Sequence, residues 1–545
     1  MPTSPSGRYA LPSSDCFPID VAPGQSRLFL DYCAADPALR PYYPSLPRET
    51  GWQQRCPRPD HWNEIVDLIA AQNPSPSAAS SIAALRSGAA TVLTGQQVGL
   101  FAGPLYTPFK AASALARARQ ATVAGQPHVA IFWLATEDHD FAEINHVSFP
   151  SRKELRKLAY TNAPSNPIPV GDVVIDQSIE PLIDQAWELL GTSDAMDALV
   201  SAYKPGRTFG QAFADFYGKA FAAQGLLILD ASSDEIHRLG SPVLKAAIER
   251  ADELHAALLE RNKALESAGY HAQVAVAPDS SLLFLLDERT GARLSLKRIA
   301  SSTTEPQGLW QAGRERFTTA DLVGILAAEP HRISPAALLR PIFQDYLLGT
   351  SLIIGGPAEI AYFAQSAVLY ERILGRITAA EPRLSATLIE PAIAELLHKH
   401  DLGIDRVFRE SADSLAQLLA ARSMPIEGKQ KLSSAGNALD EELQPLLEYM
   451  RAMDPGLGRS ADTAANKMRY QMNRLRRLAA NFEMQREGSL RRHADAIERA
   501  LNPGGVLQER VHGAAYYLAR YGFELTETLT ELASDPCPGH KAIWL

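Results

Sequence analysis

The sequence predicts an α/β protein in which a parallel-sheet core is followed by a long helical region. Three observations support this fold class. Residues 91–120 follow the order strand, glycine loop, helix. Residues 129–135 form a continuous apolar run that turns acidic at once, which is typical of a strand buried on both faces. After about residue 390 the chain has the heptad spacing of coiled-coil helices.

The composition indicates a soluble protein of two or three domains. The chain has 545 residues, of which 46% are hydrophobic and 21% charged, and its formal net charge is −9. This balance gives no reason to expect nucleic acid as a partner, because phosphate binding requires concentrated positive charge. The longest apolar runs are far shorter than the roughly 20 residues that span a bilayer. We therefore expect no membrane span, no secretory signal and a cytoplasmic location.

The four cysteines, Cys16, Cys33, Cys56 and Cys537, are scattered without the spacing of a thiolate metal site. We predict no protein metal ligands among them. In a cytoplasmic protein we expect all four to be reduced. Buried, weakly polar side chains are a better interpretation than reactive thiols.

The loop after the first strand is the first candidate binding element. Its sequence, LTGQQVGLFAGPLYTPFK (93–110), places Gly95, Gly99 and Gly103 where the backbone can turn tightly or approach a ligand. Pro104 is suited to a helix start, and the alanine-rich sequence predicts a helix over 104–120. The backbone N–H groups at such a helix start attract phosphate or carboxylate, with a purely structural turn as the alternative. The polar side chains expected at this site are Thr94, Gln96, Gln97, Tyr106 and Lys110.

The segment TEDHDFAEINH (136–146) is the second candidate, because seven ionisable or polar side chains follow a buried strand. It could perform general acid–base catalysis, bind a sugar or an amine, or hold Mg²⁺ at its carboxylates. The alternative is helix capping by one aspartate with solvated neighbours. The candidates are Asp138, His139, Asp140 and Glu143 for catalysis, and Asn145 and His146 for substrate binding.

A second glycine-proline bend occurs at GGPAEIAY (355–362), after the apolar strand around Leu352. Gly355, Gly356 and Glu359 would stand at the carboxyl end of that strand, with Arg340 a short distance upstream. Since ligands of open α/β sheets bind at that edge, we expect a second wall of the same cleft, with a structural turn as the alternative.

Two heptad seams follow in the C-terminal third, joined by a turn at 454–458. The stretch KMRYQMNRLRRLAANFEMQREGSLRRH (467–493) is strongly basic. It is either a solvated face that pairs with acidic neighbours such as Asp440, Glu441 and Glu442, or an anion-binding surface. The seam positions are Leu439, Leu443, Leu446, Met450 and Met453 in the first helix and Met468, Met472, Leu475, Ala479 and Phe482 in the second.

Several blocks together resemble the cysteine-adding enzymes of bacillithiol biosynthesis. The blocks are TGQQVGLFAGPLYTPFK, FWLATEDHDFAEINHV, LLRPIFQD followed by GGPAEIAYFAQ, and LQERVHG, in family order from about residue 91 to 513. The chain departs from the family pattern at Leu348-Gly349 and Ile353, where Leu-Pro and Tyr are expected. That departure leaves the acceptor substrate open.

The resemblance implies a Rossmann-like, nucleotidyltransferase-type core with inserted connecting-peptide segments and a C-terminal antiparallel coiled coil for homodimerisation. The sequence pattern and the resemblance together predict the domains 1–388, with connecting-peptide segments within about 150–330, then a coiled-coil domain, 389–505, and a tail, 506–545, that packs back on the body. The implied reaction joins the carboxyl group of cysteine to the amine of glucosaminyl malate.

Amide formation from a carboxylate needs activation, so we expect ATP as cosubstrate, through an adenylate or an acyl phosphate, with Mg²⁺ as an option. Lys110 is a possible charge partner for the phosphates. Glu359 and Asn145 could bind the cysteine amine or the sugar hydroxyls. Arg510 is a weak candidate for a separate nucleotide pocket. Two other function classes stay open: a metal-dependent hydrolase or phosphotransferase, and a nucleotide-binding coiled-coil protein without catalysis.

Overall fold

The computed structural model describes residues 12–54, 57–299, 308–486, 488–535 and 537–545. The strands are β1 Ser14–Phe17, β2 Ala90–Gln96, β3 His128–Leu134, β4 His146–Pro150, β5 Leu155–Ala159, β6 Leu227–Asp230, β7 Ser280–Leu286, β8 Arg293–Ile299, β9 Leu309–Ala312, β10 Glu315–Thr318, β11 Ile333–Pro335, β12 Thr350–Gly355, β13 Ala379–Pro382, β14 Ser385–Ile389 and β15 His540–Trp544.

The helices, apart from single 3₁₀ turns, also follow in chain order. They are α1 Arg27–Cys33, α2 Trp62–Gln72, α3 Ala79–Arg86, α4 Tyr106–Val123, α5 Phe141–Ile144, α6 Glu180–Leu190, α7 Asp194–Ala202, α8 Phe209–Ala220, α9 Asp234–Glu249, α10 Ala251–Ser267, α11 Thr319–Ala328, α12 Arg340–Leu348, α13 Pro357–Leu374, α14 Pro391–Lys399, α15 Ile404–Arg409, α16 Ala412–Ser423, α17 Ile426–Met453, α18 Pro455–Arg486, α19 Ser489–Leu501, α20 Gln508–Val511, α21 Ala514–Tyr521 and α22 Glu524–Ser534.

The chain divides into two compact units. The first unit contains residues 1–387 and 508–543, and the second contains residues 388–507 and 544–545. The C-terminal tail therefore belongs almost entirely to the first unit.

A five-stranded parallel sheet forms the core of the first unit, in the order β13-β12-β2-β3-β6. All seven residues of β3 are buried. A strand covered on both faces has no solvated side that needs polar residues, which is why HVAIFWL is apolar almost throughout. The predicted α/β class with a parallel sheet is confirmed.

A second five-stranded sheet, β10-β9-β8-β7-β11, is antiparallel and is built mostly from residues inserted after β6. Strands β7 and β8 pair directly and form an antiparallel hairpin within this sheet. Within residues 150–330, β6 belongs to the core sheet.

Helix α4 begins at Tyr106, two residues later than the predicted start at Pro104. The reason is a contact with the tail. Pro104 forms a β-bridge with Gly513, and the Leu105 N–H donates to the His512 carbonyl oxygen at 2.8 Å. Pro104 and Leu105 are therefore bonded to the tail, and Leu105, which already has helical backbone angles, is the N-cap of α4.

The tail also covers the far end of α4. The Arg117 Nη1 donates to the Ala533 carbonyl oxygen at 3.2 Å, and the Gln120 Nε2 donates to the Ser534 carbonyl oxygen at 2.8 Å. Helix α22 lies against α4 through these contacts, and the alanine-rich surface of α4 is buried.

One disulfide, between Cys16 and Cys537, joins β1 to the segment just before β15. The expectation that all cysteines are reduced is wrong for this pair, because antiparallel pairing of β1 with β15 brings the two ends of the chain together. Cys33 is a free, buried thiol, as predicted, and burial raises its pKa to about 12. The prediction for Cys56 falls outside the described residues.

Helices α17 and α18 form the long hairpin of the second unit, with Asp454 between them. The predicted seam is wrong in register after Leu443. Leu443, Leu447 and Ala465 are buried together, whereas the predicted seam residue Leu446 is exposed. Pro445 stands at this shift, where its ring removes a helix hydrogen bond.

The basic stretch of α18 and α19 makes ion pairs with acidic side chains of the same unit. Arg469 Nε lies 2.7 Å from Asp440, one of the predicted partners. Arg491 Nη1 lies 2.5 Å from Asp413. These contacts are of the kind expected for a solvated, paired face. Among the described residues, no helix has the length and apolarity to cross a membrane.

Candidate functional site

A cleft of the first unit lies at the carboxyl ends of β2, β3 and β12 and has a volume of about 330 Å³. This is the edge at which open parallel sheets bind ligands. The predicted residues that line it are Thr94, Gly95, Gln96, Gln97, Tyr106, Lys110, Asp138, Glu143, Arg340, Gly356, Glu359 and Arg510. The predicted residues outside its lining are Gly99, Gly103, Pro104, His139, Asp140, Asn145, His146 and Gly355.

The glycines of the first loop have different structural roles. Gly95 lies within β2, and a Cβ there would stand 3.1 Å from the Trp133 carbonyl oxygen of the neighbouring strand. Gly99 is extended, and a Cβ added there would lie 3.3 Å from the Gly103 Cα. Gly103 alone of the three has a positive φ, +66°. Close packing, more than backbone turning, therefore explains the first two glycines.

Two residues that are not glycine, Phe101 and Ala102, also have positive φ, at 47° and 70°. This conformation is uncommon for residues with a Cβ, so surrounding contacts must hold it. The Tyr203 hydroxyl donates to the Gly99 carbonyl oxygen at 2.6 Å and accepts the Ala102 N–H at 3.0 Å. The Tyr217 hydroxyl donates to the Ala102 carbonyl oxygen at 2.8 Å. The two buried tyrosines thus fix the shape of the loop.

The tail segment LQERVHG contacts this loop, which the sequence did not reveal. The Ala514 N–H donates to the Gly103 carbonyl oxygen at 2.9 Å, next to the Pro104–Gly513 bridge. These bonds place Arg510 in the lining of the cleft. Arg510 is therefore part of this cleft and not of a separate pocket.

Lys110 is buried, and all three of its N–H donors have partners within the protein. Its Nζ lies 2.7 Å from the Gly95 carbonyl oxygen, 3.0 Å from Gln96 Oε1 and 2.5 Å from Glu359 Oε2. Burial lowers its pKa, and the Glu359 charge opposes that shift. Lys110 thus ties the end of β2 to the start of α13 and does not present a free ammonium group.

Glu359 also caps α13, because its Oε2 accepts the Gly356 N–H at 2.7 Å. The carboxylate therefore serves both the helix start and Lys110. This double role explains why GGPAEIAY carries its acidic residue in the first helical turn.

Asp138 is the carboxylate of the acidic segment that is best placed in the cleft. Its Oδ2 accepts from Gln97 Nε2 at 2.6 Å, and its Oδ1 accepts the His139 N–H at 2.8 Å. Gln97 also donates to Glu143 Oε2 at 3.1 Å. Burial alone would raise the pKa of Asp138, but the charge of Arg340 and the Gln97 hydrogen bond hold it below its usual value. Asp138 is thus an ionised acceptor at neutral pH.

The other polar residues of this segment have structural partners. Asp140 caps α5 by accepting the Glu143 N–H at 3.1 Å. Asn145 donates to the Tyr160 carbonyl oxygen at 3.1 Å, and His146 contacts Asn145 at 3.2 Å. These three predicted residues are therefore not brought into the cleft, because the chain turns into α5 and β4 directly after Asp138 and His139.

Glu137 forms a buried ion pair with His237 of α9, with 2.7 Å between Oε1 and Nε2. Burial alone would lower the pKa of His237, but Glu137 raises it above its usual value. The His237 Nδ1 lies 3.1 Å from the Ile333 carbonyl oxygen. This pair connects the end of β3 to α9 and β11 beneath the cleft.

Cationic and unpaired donor groups mark another part of the lining. Arg383 and Arg510 both stand over the Tyr106 ring, at 5.3 and 6.0 Å from its centre. The buried Arg383 Nε and the buried Trp133 Nε1 have no hydrogen-bond partner among the described residues. Buried donors without partners are costly, so a ligand with acceptor oxygens would satisfy them. Sequence reasoning missed Arg383 and Trp133, although Trp133 adjoins the acidic segment.

In the part of the chain that the structure describes, no group of three or more His, Cys, Asp or Glu side chains is arranged to hold a metal ion. Asp138 and Glu143 approach the same amide, that of Gln97. The side chains of this cleft are better suited to binding anions and amines than to holding a metal ion without other ligands.

Comparison with known proteins gives matches over nearly the whole chain. The family model described as "Bacillithiol biosynthesis BshC, N-terminal Rossmann-like domain" matches residues 15–384. The model described as "Bacillithiol biosynthesis BshC, C-terminal coiled-coil domain" matches residues 386–545.

Curated relatives match over about nine tenths or more of their length. The "Putative cysteine ligase BshC" of Koribacter versatilis (strain Ellin345) is 39% identical over 538 residues, which cover 97% of this chain and 99% of that protein. The protein of the same name from Solibacter usitatus (strain Ellin6076) is 34% identical over 494 residues, with 89% and 90% covered. That of Salinibacter ruber (strain DSM 13855 / M31) is 30% identical, with 95% and 96% covered.

Proposed function

The chain belongs to the bacillithiol biosynthesis BshC family, and from that premise we propose that it is the ligase that joins cysteine to glucosaminyl malate. The bond formed is an amide between the cysteine carboxyl carbon and the sugar amine. Membership of the family assigns the chain a role in bacillithiol biosynthesis, and the curated relatives carry the name cysteine ligase.

The observation that carries the proposal is the mixed charge of one cleft. Asp138 offers an ionised acceptor for an amine, while Arg340, Arg383 and Arg510 offer cationic donors for anions. Glucosaminyl malate has both kinds of group, an amine on the sugar and carboxylates on the malate. A cleft for a substrate of one charge alone would not need both sets of residues.

In the proposed reaction, Asp138 accepts a hydrogen bond from the attacking amine and takes its proton as the carbon–nitrogen bond forms. Gln97 keeps the carboxylate in place, since it donates to Asp138 at 2.6 Å. Lys110 and Glu359 act indirectly, because their ion pair holds the ends of β2 and α13 at the cleft.

ATP is the proposed source of activation. The residues present fit an anionic ligand, because the buried Arg383 Nε lacks a partner and Arg340 and Arg510 line the same cleft. These three guanidinium groups would hold its phosphates. When bound, ATP would convert one oxygen of the cysteine carboxylate into a leaving group. Lys110 is not available for that task, since its donors are occupied.

Mg²⁺ belongs to the proposal only as a companion of the nucleotide. The described residues do not contain a cluster that would hold the ion without substrate, and Mg²⁺ commonly binds through one or two carboxylates and substrate phosphates.

The proposal is tested by incubating the purified protein with cysteine, glucosaminyl malate and ATP and following the amide product by mass spectrometry. We expect product only when all three are present, together with stoichiometric nucleotide consumption. ATP-independent hydrolysis or phosphate transfer that a chelator abolishes would overturn the ligase function. So would tight nucleotide binding without turnover in any substrate mixture.

We also propose that the protein is a homodimer through α17 and α18. The support is a set of large apolar side chains that the second unit leaves exposed, with exposed fractions between 50% and 63%. Heptad positions that find no cover within their own hairpin are suited to a second copy of the same hairpin. These residues are Leu446, Met453, Met468, Leu475 and Phe482.

Replacing Leu475 and Phe482 together with glutamate is expected to halve the molar mass in solution, because charge at these positions prevents apolar burial between copies. The measurement is size-exclusion chromatography with light scattering. Gln471→Glu is the matched control, since Gln471 is also exposed on α18. A wild-type protein that is monomeric at micromolar concentration would contradict the dimer.

A further inference from the structure

Arg293 of the inserted antiparallel sheet contacts the acidic segment of the core. Its Nη1 lies 3.2 Å from His139 Nδ1, although the two residues are 154 positions apart in sequence. The Arg293 side chain is only 3% exposed. The insertion therefore contributes a buried cation directly beside Asp138 and His139.

Arg293 is held rigidly on its other sides. Its Nε donates to Ser334 Oγ at 3.0 Å, and its Nη2 donates to the Pro335 carbonyl oxygen at 3.1 Å. Its guanidinium carbon stacks on the Phe284 ring, 3.8 Å from the centre. A group fixed by three such contacts presents its remaining N–H groups in one direction, which is toward His139.

This contact determines which His139 nitrogen carries the proton. A guanidinium has N–H donors and no acceptor, so the His139 Nδ1 facing it must accept. The other neighbour of Nδ1 is Asp138 Oδ1 at 3.6 Å, too long for a hydrogen bond that would favour an Nδ1 proton. A neutral imidazole with an accepting Nδ1 has its proton on Nε2.

His139 itself lies outside the lining of the cleft, directly next to Asp138, which lines it. We propose that Arg293 fixes His139 as the neutral Nε2–H tautomer, so that His139 donates a hydrogen bond to a substrate bound against Asp138 and Asp138 alone takes the proton. Among the described residues, Nε2 has no hydrogen-bond partner, and the His139 side chain is 34% exposed. The ligand it suits is an acceptor oxygen, such as the carbonyl oxygen that gains negative charge during amide formation. The substrate part of this inference rests on the ligase function proposed above.

The charged groups around His139 are consistent with this state. Burial lowers the pKa of His139, and the charge of Arg293 lowers it further. Asp138 and Asp140 act in the opposite direction but do not reverse the shift. The pKa of His139 therefore lies below its usual value of about 6.5, and the neutral form predominates at pH 7.

The tautomer is tested directly by two-bond ¹H–¹⁵N NMR on protein labelled with ¹⁵N-histidine, with His139→Gln to assign the resonance. In the wild type we expect an Nε2–H imidazole that is neutral at pH 7 and has a pKa below the usual value of about 6.5. An Nδ1–H tautomer, or an imidazolium at pH 7, would overturn the proposal. This readout does not depend on which reaction the protein catalyses.

Arg293→Met tests the cause, because methionine keeps an apolar stem on Phe284 and removes every donor. We expect His139 to lose its single tautomer and to titrate at a higher pH than in the wild type. Arg298→Met is the matched control, since Arg298 lies on the same strand but donates to Asp252 and Pro278. Unchanged His139 resonances in a folded Arg293→Met protein would overturn the role of Arg293. If that variant does not fold, the wild-type spectrum still decides the tautomer.

Activity measurements then show whether His139 acts as a hydrogen-bond donor or as a general base. Loss of one donor to a developing oxyanion costs on the order of 10²-fold in kcat. We expect His139→Ala to show such a loss with little change in KM, and His139→Gln, which keeps an N–H donor, to recover part of it. Equal loss in both variants would overturn the donor role. Failure of every variant and of the wild type to make amide would refute the ligase function and leave the tautomer result standing.

Discussion

Asp138→Asn is expected to lower amide formation by about 10²–10⁴-fold, the range typical of removing a general base. Asparagine keeps the size of the side chain and can still contact Gln97, so the fold should persist. It cannot take a proton from the attacking amine. The measurements are kcat and KM with cysteine, glucosaminyl malate and ATP, together with the melting temperature.

Asp140→Asn is the control within the same segment. Asp140 caps α5 and does not line the cleft, and asparagine is an equally good N-cap. We therefore expect wild-type turnover and stability. Near-normal activity of Asp138→Asn, or equal loss in the two variants, would remove Asp138 from the proposed mechanism.

The parts of the site that lie next to strand ends could be predicted from sequence. Asp138 follows β3 and Gly356 follows β12, and an apolar run that stops at polar residues marks the edge where parallel strands bind ligands. Both residues line the cleft. The sequence also indicated the two helices of the coiled coil, although Pro445 shifts their seam.

Residues brought in from elsewhere in the chain could not be predicted. Arg293 comes from an inserted sheet, Arg383 from the end of β13, and Tyr203 from the residue after α7. No local period or motif distinguishes them from ordinary buried side chains. Their positions depend on packing between distant segments, which a single sequence does not encode in a readable pattern.

Lys110 illustrates a different limit. A lysine two turns into a helix after a glycine loop suggests a phosphate ligand. In the structure its donors are taken by Gly95, Gln96 and Glu359. The sequence correctly predicted that Lys110 lies at the cleft. It did not predict the structural role of the side chain, because that role depends on which acceptors the fold brings near the ammonium group.

Glu509→Gln is expected to destabilise the fold by about 3–5 kcal/mol, because it leaves the buried Arg383 without a counter-charge. The two side chains are 1% and 3% exposed and lie 2.6 Å apart. Glu509 also accepts the Ala386 N–H at 2.9 Å. Burial alone would raise the pKa of Glu509, but Arg383 holds it below its usual value, so the carboxylate is ionised at neutral pH.

Glu137→Gln is the comparison variant, because it removes the partner of His237 in the same way that Glu509→Gln removes the partner of Arg383. His237 can lose its proton when unpaired, whereas Arg383 cannot. The pKa of His237 is raised in the fold by Glu137, so the stabilisation by that pair is complete below the usual value of about 6.5 and is lost as the pH rises through the folded value. The loss in free energy of unfolding caused by Glu137→Gln should therefore become smaller as the pH rises. The cost of Glu509→Gln should stay constant from about pH 7 to 9, because Arg383 remains charged there.

The measurement is urea unfolding of the wild type, Glu509→Gln and Glu137→Gln across this pH range. His540, which lies beside Glu509, has a pKa of about 4 and therefore stays neutral throughout. Arg383→Met combined with Glu509→Leu removes both charges and should be more stable than Glu509→Gln, because no buried charge is left unpaired. A cost of Glu509→Gln below about 1 kcal/mol, or a double variant less stable than the single one, would show that the charge pair does not hold the tail on the core. In that case the position of Arg510 in the cleft would depend on the other contacts of the tail, among them the backbone bonds of His512, Gly513 and Ala514.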